Sequence, residues 1–229
     1  MGKRGVIAPL SLAKTLWNLE EARLNGTTKS DPHLKHALSW IARRQGQPGS
    51  YGGCLFAPMP MDLAQLLAVP TQDCKLGKAG VMHVLGEEAV RALTLWKHKS
   101  GWDRETAIEK VVSRFDHDPQ RPRRDPGLCC CATCSAARWR ALAAAQPKGW
   151  EDILADGLKH LAKNPLTSEG RWKRFPFYYT LLALSEIPLA EVEAERKRLL
   201  PAAERVYPKV KGNSQAVRFR KRALEWAVG

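Results

Sequence analysis

One stretch of the chain, residues 31–49, has the sequence DPHLKHALSWIARRQGQPG and contains the signals of one helix with both of its ends. Asp31 can accept hydrogen bonds from the free amide groups of a first turn, and Pro32 suits the first helical position, where an N–H donor is not needed. Apolar residues then recur at helical spacing, and glycine and proline at positions 46–49 end the pattern. The stretch therefore predicts an α-helix that begins at Pro32.

The same kind of pattern recurs along the rest of the chain. Gly86 is a point where one of the predicted helices can break, and Pro201 is expected to separate two short helices. No alternating apolar and polar run and no Asn-Gly or Asp-Gly hairpin predicts a β-sheet. The predicted fold class is all-α, with antiparallel helix pairs joined by short turns. Further helices are expected near 12–26, 61–69, 78–99, 103–115, 136–145, 150–161, 177–187, 189–200 and 214–228.

A polar connector at residues 117–128 is rich in proline and arginine, a composition typical of a loop. We predict a single all-helical domain over residues 1–229, and the connector is the best candidate for a subdivision. No apolar run approaches the roughly 20 residues of a membrane span, and the first residues lack the long apolar core of a secretory signal. The expected location is therefore the cytoplasm, where clustered thiols more often bind metals than form structural disulfides.

Four of the chain's six cysteines lie in the segment CCCATC at residues 129–134. The spacing Cys131-x-x-Cys134 allows one short turn to present two thiolates to the same ion. Thiolates are soft ligands that suit zinc and iron–sulfur clusters. A mononuclear site is expected to use Cys131, Cys134 and one of Cys129 or Cys130, whereas an iron–sulfur cluster can use more of them. The predicted source of a further ligand is Cys74, followed by Cys54 and then His83.

Two other interpretations of the cysteines stay open. A pair of these thiols can form a redox disulfide, although the strands that surround a thioredoxin-type CxxC are not predicted. Some of the cysteines can also be small buried apolar residues. No Ser–His–Asp arrangement, phosphate loop or paired-carboxylate motif can be recognised, so the sequence does not decide whether the protein is an enzyme.

Two segments combine a helix end, a glycine and an aromatic residue two positions later, as in Gly49-x-Tyr51 and Gly170-x-Trp172. With Gln45 before it, the first segment resembles the repeat of the α/α-toroid proteins, which include the prenyltransferases and squalene cyclases. The resemblance implies helix pairs in a ring, as a partial α/α toroid, around a cavity for an apolar ligand. The acidic catalytic motifs of these families are missing, so the resemblance implies the fold and not the catalysis.

Aromatic side chains near these turns are the candidates for lining such a cavity. The alternative is that they fill the space between helix ends, since glycine allows the tight turn and an aromatic ring closes it. The candidate cavity residues are Tyr51, Trp172, Phe177, Tyr178 and Tyr179.

The chain has 37 lysines and arginines against 23 acidic residues, a net charge of +14. Such a charge attracts nucleic acids and acidic proteins, or it only keeps the surface solvated. The preferred function is a metal- or iron–sulfur-binding helical protein with a ligand cavity. The alternatives are a nucleic-acid-binding protein with a structural metal and a redox-thiol or scaffold protein. The candidate phosphate contacts lie on the last helix, at Arg218, Arg220, Lys221 and Arg222.

Overall fold

The computed structural model describes residues 6–113 and 126–229, and within these ranges it contains helices but no β-strand. This confirms the all-α prediction. The α-helices within the described ranges are α1 (Leu12–Leu24), α2 (Pro32–Ala42), α3 (Pro60–Ala64), α4 (Lys78–Leu95), α5 (Arg104–Ser113), α6 (Ala132–Ala145), α7 (Trp150–Ala162), α8 (Phe177–Leu184), α9 (Glu191–Val206) and α10 (Gln215–Val228).

Helix starts follow the capping residues in the sequence. The Asp31 carboxylate accepts hydrogen bonds from the backbone N–H groups of His33 and Leu34, and Pro32 is the first residue of α2. Ser11 and Ser214 cap α1 and α10 in the same way, through a side-chain oxygen that accepts a backbone N–H of the first turn. Each cap satisfies a donor that has no partner within the helix.

Three helices differ from their predicted extent. Helix α4 runs through Gly86 without a break, because this glycine packs against Leu55 so closely that a Cβ atom would lie 2.8 Å from the Leu55 Cβ. Helix α9 runs through Pro201, since its buried face continues on both sides of the proline, from Leu199 to Ala203. Helix α3 ends early, where Leu66 adopts left-handed backbone geometry with φ 51°.

The described residues form two compact units. The first consists of residues 6–68 and 75–113 and is built around α4, which packs against α1, α2, α3 and α5. Charged side chains are buried on α4 as well as apolar ones, and the Arg91 guanidinium pairs with Glu20 at 3.1 Å. Burial of these charges requires such pairing, because an isolated charge inside the protein would be strongly destabilising.

The second unit consists of residues 69–74 and 126–229 and is built around α8, whose residues are all buried. Helices α6 and α10 pack directly on α8, and α7 and α9 complete the unit. The Arg140 guanidinium of α6 donates to the Glu186 carboxylate at 2.9 Å and lies over the Tyr179 ring. The buried arginine is thereby paired on one side and stacked on the other.

Both predicted glycine–aromatic turns are closed by an isolated antiparallel bridge, Gln45 with Phe56 and Leu166 with Trp172. In the first turn, the Gln45 amide makes two hydrogen bonds to the backbone of Asp103, one accepted at 2.6 Å and one donated at 2.8 Å. This glutamine therefore fixes the chain just before α5. Gln45 thus has a structural role within the first unit.

The predicted connector lies mostly outside the described residues, which resume at residue 126. The single domain and its subdivision at 117–128 stay a prediction. Among the described helices, none has the length and apolar character needed to cross a membrane.

Candidate metal centre

The cysteine segment forms the start of α6 in the second unit. Cys131 is the N-cap residue, and its Sγ accepts a hydrogen bond from the backbone N–H of Cys134 at 3.4 Å. The Ser135 hydroxyl accepts from the backbone N–H of Cys129 at 2.8 Å and donates to the carbonyl of Cys131 at 2.9 Å. These contacts fold the three consecutive cysteines back over the first turn of the helix.

The fold brings three sulfur atoms into one group. The Sγ atoms of Cys130, Cys131 and Cys134 all lie within 4.8 Å of one another. Cys134 is fully buried, whereas Cys130 is exposed. Cys129 also hydrogen-bonds the Cys134 thiol. The described residues of this segment therefore offer a thiol cluster that can hold a metal ion, and the ion itself is not identified by this geometry.

Cys74 approaches the same cluster from a distant part of the sequence. Its sulfur has a hydrogen bond with the Thr133 hydroxyl of α6 and lies within electrostatic range of Cys131. Burial, with a smaller contribution from the charge of Asp73, raises the pKa of the Cys74 thiol to about 12. The structure thus brings the first predicted source of a further ligand to the end of α6 that bears the cluster.

The other two predicted sources, Cys54 and His83, belong to the first unit. Cys54 is half-buried near Lys110 and Glu109, and burial raises the pKa of its thiol. The His83 ring is buried, lies 3.1 Å from Glu87 through Nε2, and stacks on Tyr51 with ring centroids 4.1 Å apart. Neither side chain belongs to the unit that contains the thiol cluster, and their role as ligands stays a prediction.

The thiols of the cluster hold their protons more tightly than a free cysteine does. Hydrogen bonds with the thiols of Cys129, Cys130 and Cys131, followed by burial, raise the pKa of Cys134. A hydrogen bond with Cys130 is the main cause of the raised pKa of Cys131. Several thiolates cannot share such a small volume without a cation between them. A metal ion would supply that positive charge and replace the protons.

The segment that precedes the cysteines is held by α6 and α7. The backbone N–H of Gly127 donates to the Asp156 carboxylate at 2.8 Å, and the Trp139 indole N–H donates to the Gly127 carbonyl at 2.7 Å. The Arg138 guanidinium donates to the carbonyl of Pro126 at 2.7 Å. These bonds satisfy both backbone groups of Gly127 and fix the point from which the cysteine segment starts.

Asp73, next to Cys74, caps α8 from outside that helix. Its Oδ2 accepts from the backbone N–H of Tyr178 at 2.7 Å, and its Oδ1 accepts from the Thr71 hydroxyl at 2.6 Å. The Arg220 guanidinium donates to the carbonyl of Thr71 at 2.7 Å. The short segment that contains Cys74 is therefore attached to α8 and α10 by side-chain bonds.

We expect Asp73→Ala to lower the free energy of unfolding by about 1–2 kcal/mol, because it removes the acceptor at the start of α8. Asp73→Asn keeps one acceptor oxygen and should cost about half as much. Urea unfolding followed by circular dichroism measures both. Asp152→Ala is the matched control, since Asp152 is exposed in the first turn of α7. Equal losses from Asp73→Ala and Asp152→Ala would contradict the capping role.

A cavity of about 560 Å³ opens beside the cysteines. Cys129, Cys130 and Cys131 form one side, and Phe175 and Pro165 form an apolar side. The remaining lining includes Lys163, Asn164 and Arg174, which sequence reasoning did not identify as site residues. Only Asn164 had a signal in the sequence, as the amide nearest to the second glycine–aromatic turn.

The predicted cavity aromatics are packed in the structure. Tyr51 stacks on His83 in the first unit. In the second unit the Trp172 indole N–H donates to the Glu195 carboxylate at 3.3 Å, and Phe177 packs edge-on against Tyr178. Tyr179 is fully buried beneath Arg140. These contacts are those of rings that fill space between helices, and an apolar ligand cavity at Tyr51, Trp172, Phe177, Tyr178 and Tyr179 stays a prediction.

The basic residues of α10 differ from one another in their surroundings. Arg220 is half-buried, donates to the carbonyls of Thr71 and Gln72, and lies over the Tyr178 ring. Arg218 and Arg222 are exposed, and the Lys221 ammonium donates to the carbonyl of Gly212 at 3.4 Å. Arg220 therefore stabilises the fold, and contact of this helix with nucleic acid or an acidic protein stays a prediction.

No protein-family model, curated protein or solved structure matches this chain. The resemblance of the segments around Gly49 and Gly170 to the α/α-toroid proteins therefore stays a prediction.

Proposed function

We propose that this protein binds one zinc ion through Cys130, Cys131 and Cys134, with Cys74 or Cys129 as the fourth ligand. The observation that supports the proposal most strongly is the mutual distance of the three sulfur atoms, all within 4.8 Å. Tetrahedral zinc with Zn–S bonds of about 2.3 Å places its sulfur ligands about 3.8 Å apart. The thiols therefore need only small side-chain rotations to reach the geometry of a zinc site.

The start of α6 also favours bound thiolates. Helix N-termini carry unsatisfied backbone N–H groups and a partial positive charge, which stabilise negative ligands. The backbone N–H of Cys134 already donates to the Cys131 sulfur. Ligands of metal ions are oriented by hydrogen bonds of this kind, and Ser135 and Thr133 supply others to the cysteine segment and to Cys74.

An iron–sulfur cluster is the second candidate. The observation that favours it is the number of thiols, since Cys129 contacts Cys134 and Cys74 lies near Cys131 in addition to the close group of three. Zinc and the common iron–sulfur clusters are both held by four thiolates, but the thiolates of a cluster bind different iron atoms and need not converge on one point, so a wider spread of thiols favours a cluster. The two candidates use the same side chains and differ in colour and in bound iron and sulfide.

Elemental analysis of the full chain, purified without oxygen, tests the proposal. We expect about one zinc ion per chain and a colourless protein. A brown protein with iron and inorganic sulfide would assign the second candidate and overturn the zinc assignment. A chain that binds neither metal, even after zinc is added to the reduced protein, would overturn metal binding as a whole. A zinc-competition titration compares the affinities of Cys74→Ser and Cys129→Ser. The fourth ligand is the cysteine whose replacement weakens zinc binding more.

Zinc binding by this site should release protons. Because the pKa values of Cys131 and Cys134 are raised, these thiols are protonated at neutral pH, and each ligand must lose its proton to bind zinc. We expect the release of about four protons per zinc ion near pH 7, one from each thiol ligand, and an apparent affinity that rises with pH. Calorimetric titrations in buffers of different ionisation enthalpy measure this number. Zinc binding without proton release would mean that the thiols are already ionised.

A further inference from the structure

The cavity beside the cysteines has features that the binding of a metal does not use. Its lining contains two exposed cationic side chains, Lys163 and Arg174, and neither has an ion-pair partner among the described residues. No aspartate or glutamate lies among the described residues that line it. A concave site with cations at its surface and no acidic neighbours in its lining concentrates anions.

Asn164 is a second and independent feature. Asn164 is one of the residues that line the same cavity, and the residue is only 9% exposed. The amide oxygen Oδ1 is buried and has no hydrogen-bond partner among the described residues. A buried polar atom without a partner is destabilising, so such an atom indicates a missing donor. A small movement of the Asn164 amide would let a molecule in the cavity supply this donor.

The rest of the cavity wall is apolar and favours a ligand with a carbon skeleton. Phe175, Pro165 and Leu128 line the cavity with apolar surface, and Phe175 is held in place by stacking on Trp139 with centroids 5.6 Å apart. The volume of about 560 Å³ lies within the range of small-molecule sites. Inorganic anions would leave the apolar wall unused.

We propose that this cavity binds a small organic anion that carries a hydroxyl or amino group. The anionic group pairs with Arg174 and Lys163, since a guanidinium can form two parallel hydrogen bonds with a carboxylate or a phosphate. The hydroxyl or amino group donates to Asn164 Oδ1. The carbon skeleton packs on Phe175. The inference goes beyond the proposed function, because its three recognition residues are not metal ligands, although the same cavity is also lined by Cys129, Cys130 and Cys131.

Calorimetric titration of the full chain with L-malate tests the inference. Malate has carboxylates and a hydroxyl group, and succinate is the same molecule without the hydroxyl. We expect malate to bind with a dissociation constant in the millimolar range or below, and about three- to tenfold more tightly than succinate, the contribution of one hydrogen bond. Glycerol 3-phosphate, which has a hydroxyl and a phosphate ester, tests which anionic group the cavity prefers. If the chain binds it more tightly than malate, the result supports the site and indicates that its ligand carries a phosphate.

Variants assign the binding to this cavity. We expect Arg174→Gln to weaken malate binding about tenfold or more, Lys163→Gln to weaken it less, and Asn164→Leu to remove the preference for malate over succinate. Lys197→Gln is the matched control, an exposed lysine on α9 outside the cavity. Arg174 and Lys163 are exposed, so their variants should fold normally, and circular dichroism checks the fold of Asn164→Leu.

Metal content is measured in every sample, which separates this inference from the proposed function. Malate binding by a chain that binds no metal, even after zinc is added to the reduced protein, would leave the inference standing and overturn the metal proposal. A metal-loaded chain that binds none of the three probes would overturn the inference alone. Equal weakening of malate binding by Lys197→Gln and Arg174→Gln would overturn the inference as well. Loss of the metal from Arg174→Gln would also overturn it, because the cations would then only balance the charge of the thiolates.

Discussion

The double variant Cys131→Ser, Cys134→Ser is expected to retain less than about one tenth of the metal bound by the parent chain. These two residues provide two of the three sulfur atoms that lie within 4.8 Å of one another, and the third alone cannot hold an ion. Serine has nearly the shape of cysteine but is a poor ligand for zinc and for iron–sulfur clusters. Elemental analysis after anaerobic purification measures the loss.

The same variant should also be less stable when metal is present. A ligand at about 100 times its dissociation constant stabilises the folded state by about 2.7 kcal/mol, and the variant lacks this contribution. For a chain of this size, that corresponds to a fall in Tm of about 5–10 °C. In the presence of a chelator the two Tm values should converge, because the metal contribution is then absent from both proteins.

Cys54→Ser is the matched control for this prediction, since it removes a half-buried thiol that lies in the first unit. It should keep the full metal content. An unchanged metal content in the double variant would contradict the proposed centre. A loss in Cys54→Ser equal to that of the double variant would place a ligand outside the cluster and contradict the ligand set proposed here.

Helix positions could be predicted from the sequence where the signals are local. Asp31, Pro32 and Ser214 determine helix starts through bonds to neighbouring residues, and the structure confirms these starts. The errors arose where distant contacts prevail over local preference. Gly86 stays helical because Leu55 packs against it, and Pro201 stays helical because the buried face of α9 continues past it. Neither contact can be read from a window of a few residues.

The candidate site also has features that follow from the local sequence and features that depend on distant contacts. Cys131 and Cys134 are separated by one helical turn, so their proximity follows from the sequence once a helix starts at Ala132. The approach of Cys74 to Thr133 depends on the bonds from Asp73 to α8 and from Arg220 to Thr71, which connect segments far apart in the chain. The unpartnered oxygen of Asn164 could not be predicted at all, because satisfaction of a buried atom is a property of the folded surroundings.

Two glycines show how closely the cysteine segment is packed onto the second unit. Gly127 adopts ordinary backbone geometry, so glycine is needed there for space and not for conformation. Gly157 lies inside α7, where glycine is less favourable than alanine by about 1 kcal/mol. A Cβ atom at Gly157 would lie 2.6 Å from the Trp139 indole nitrogen and 2.8 Å from the Gly127 carbonyl oxygen. Glycine at position 157 therefore lowers the helix propensity of α7 but allows this helix to contact the residue from which the cysteine segment starts.

Gly127→Ala is expected to destabilise the protein by about 3 kcal/mol and to weaken metal binding about tenfold or more. The new methyl group would overlap the backbone nitrogen of Gly157, and a backbone atom within a helix cannot move aside as a flexible side chain can. The segment must therefore shift away from α7, which strains the bonds of Gly127 to Asp156 and Trp139. Displacement of groups that orient metal ligands commonly reduces the affinity for the metal by about 10–100-fold, and we expect a similar effect here.

Thermal unfolding of the metal-free proteins isolates the packing effect, and competition with a chromogenic zinc chelator measures the affinity. Gly77→Ala is the matched control, because a Cβ atom there meets no atom within 4 Å and the backbone φ is −74°. It should change stability by less than about 1 kcal/mol. If Gly127→Ala were as stable as this control, the contact with α7 would not position the segment. If it were destabilised but bound zinc with the parent affinity, the cysteines would form their site independently of the helix behind them.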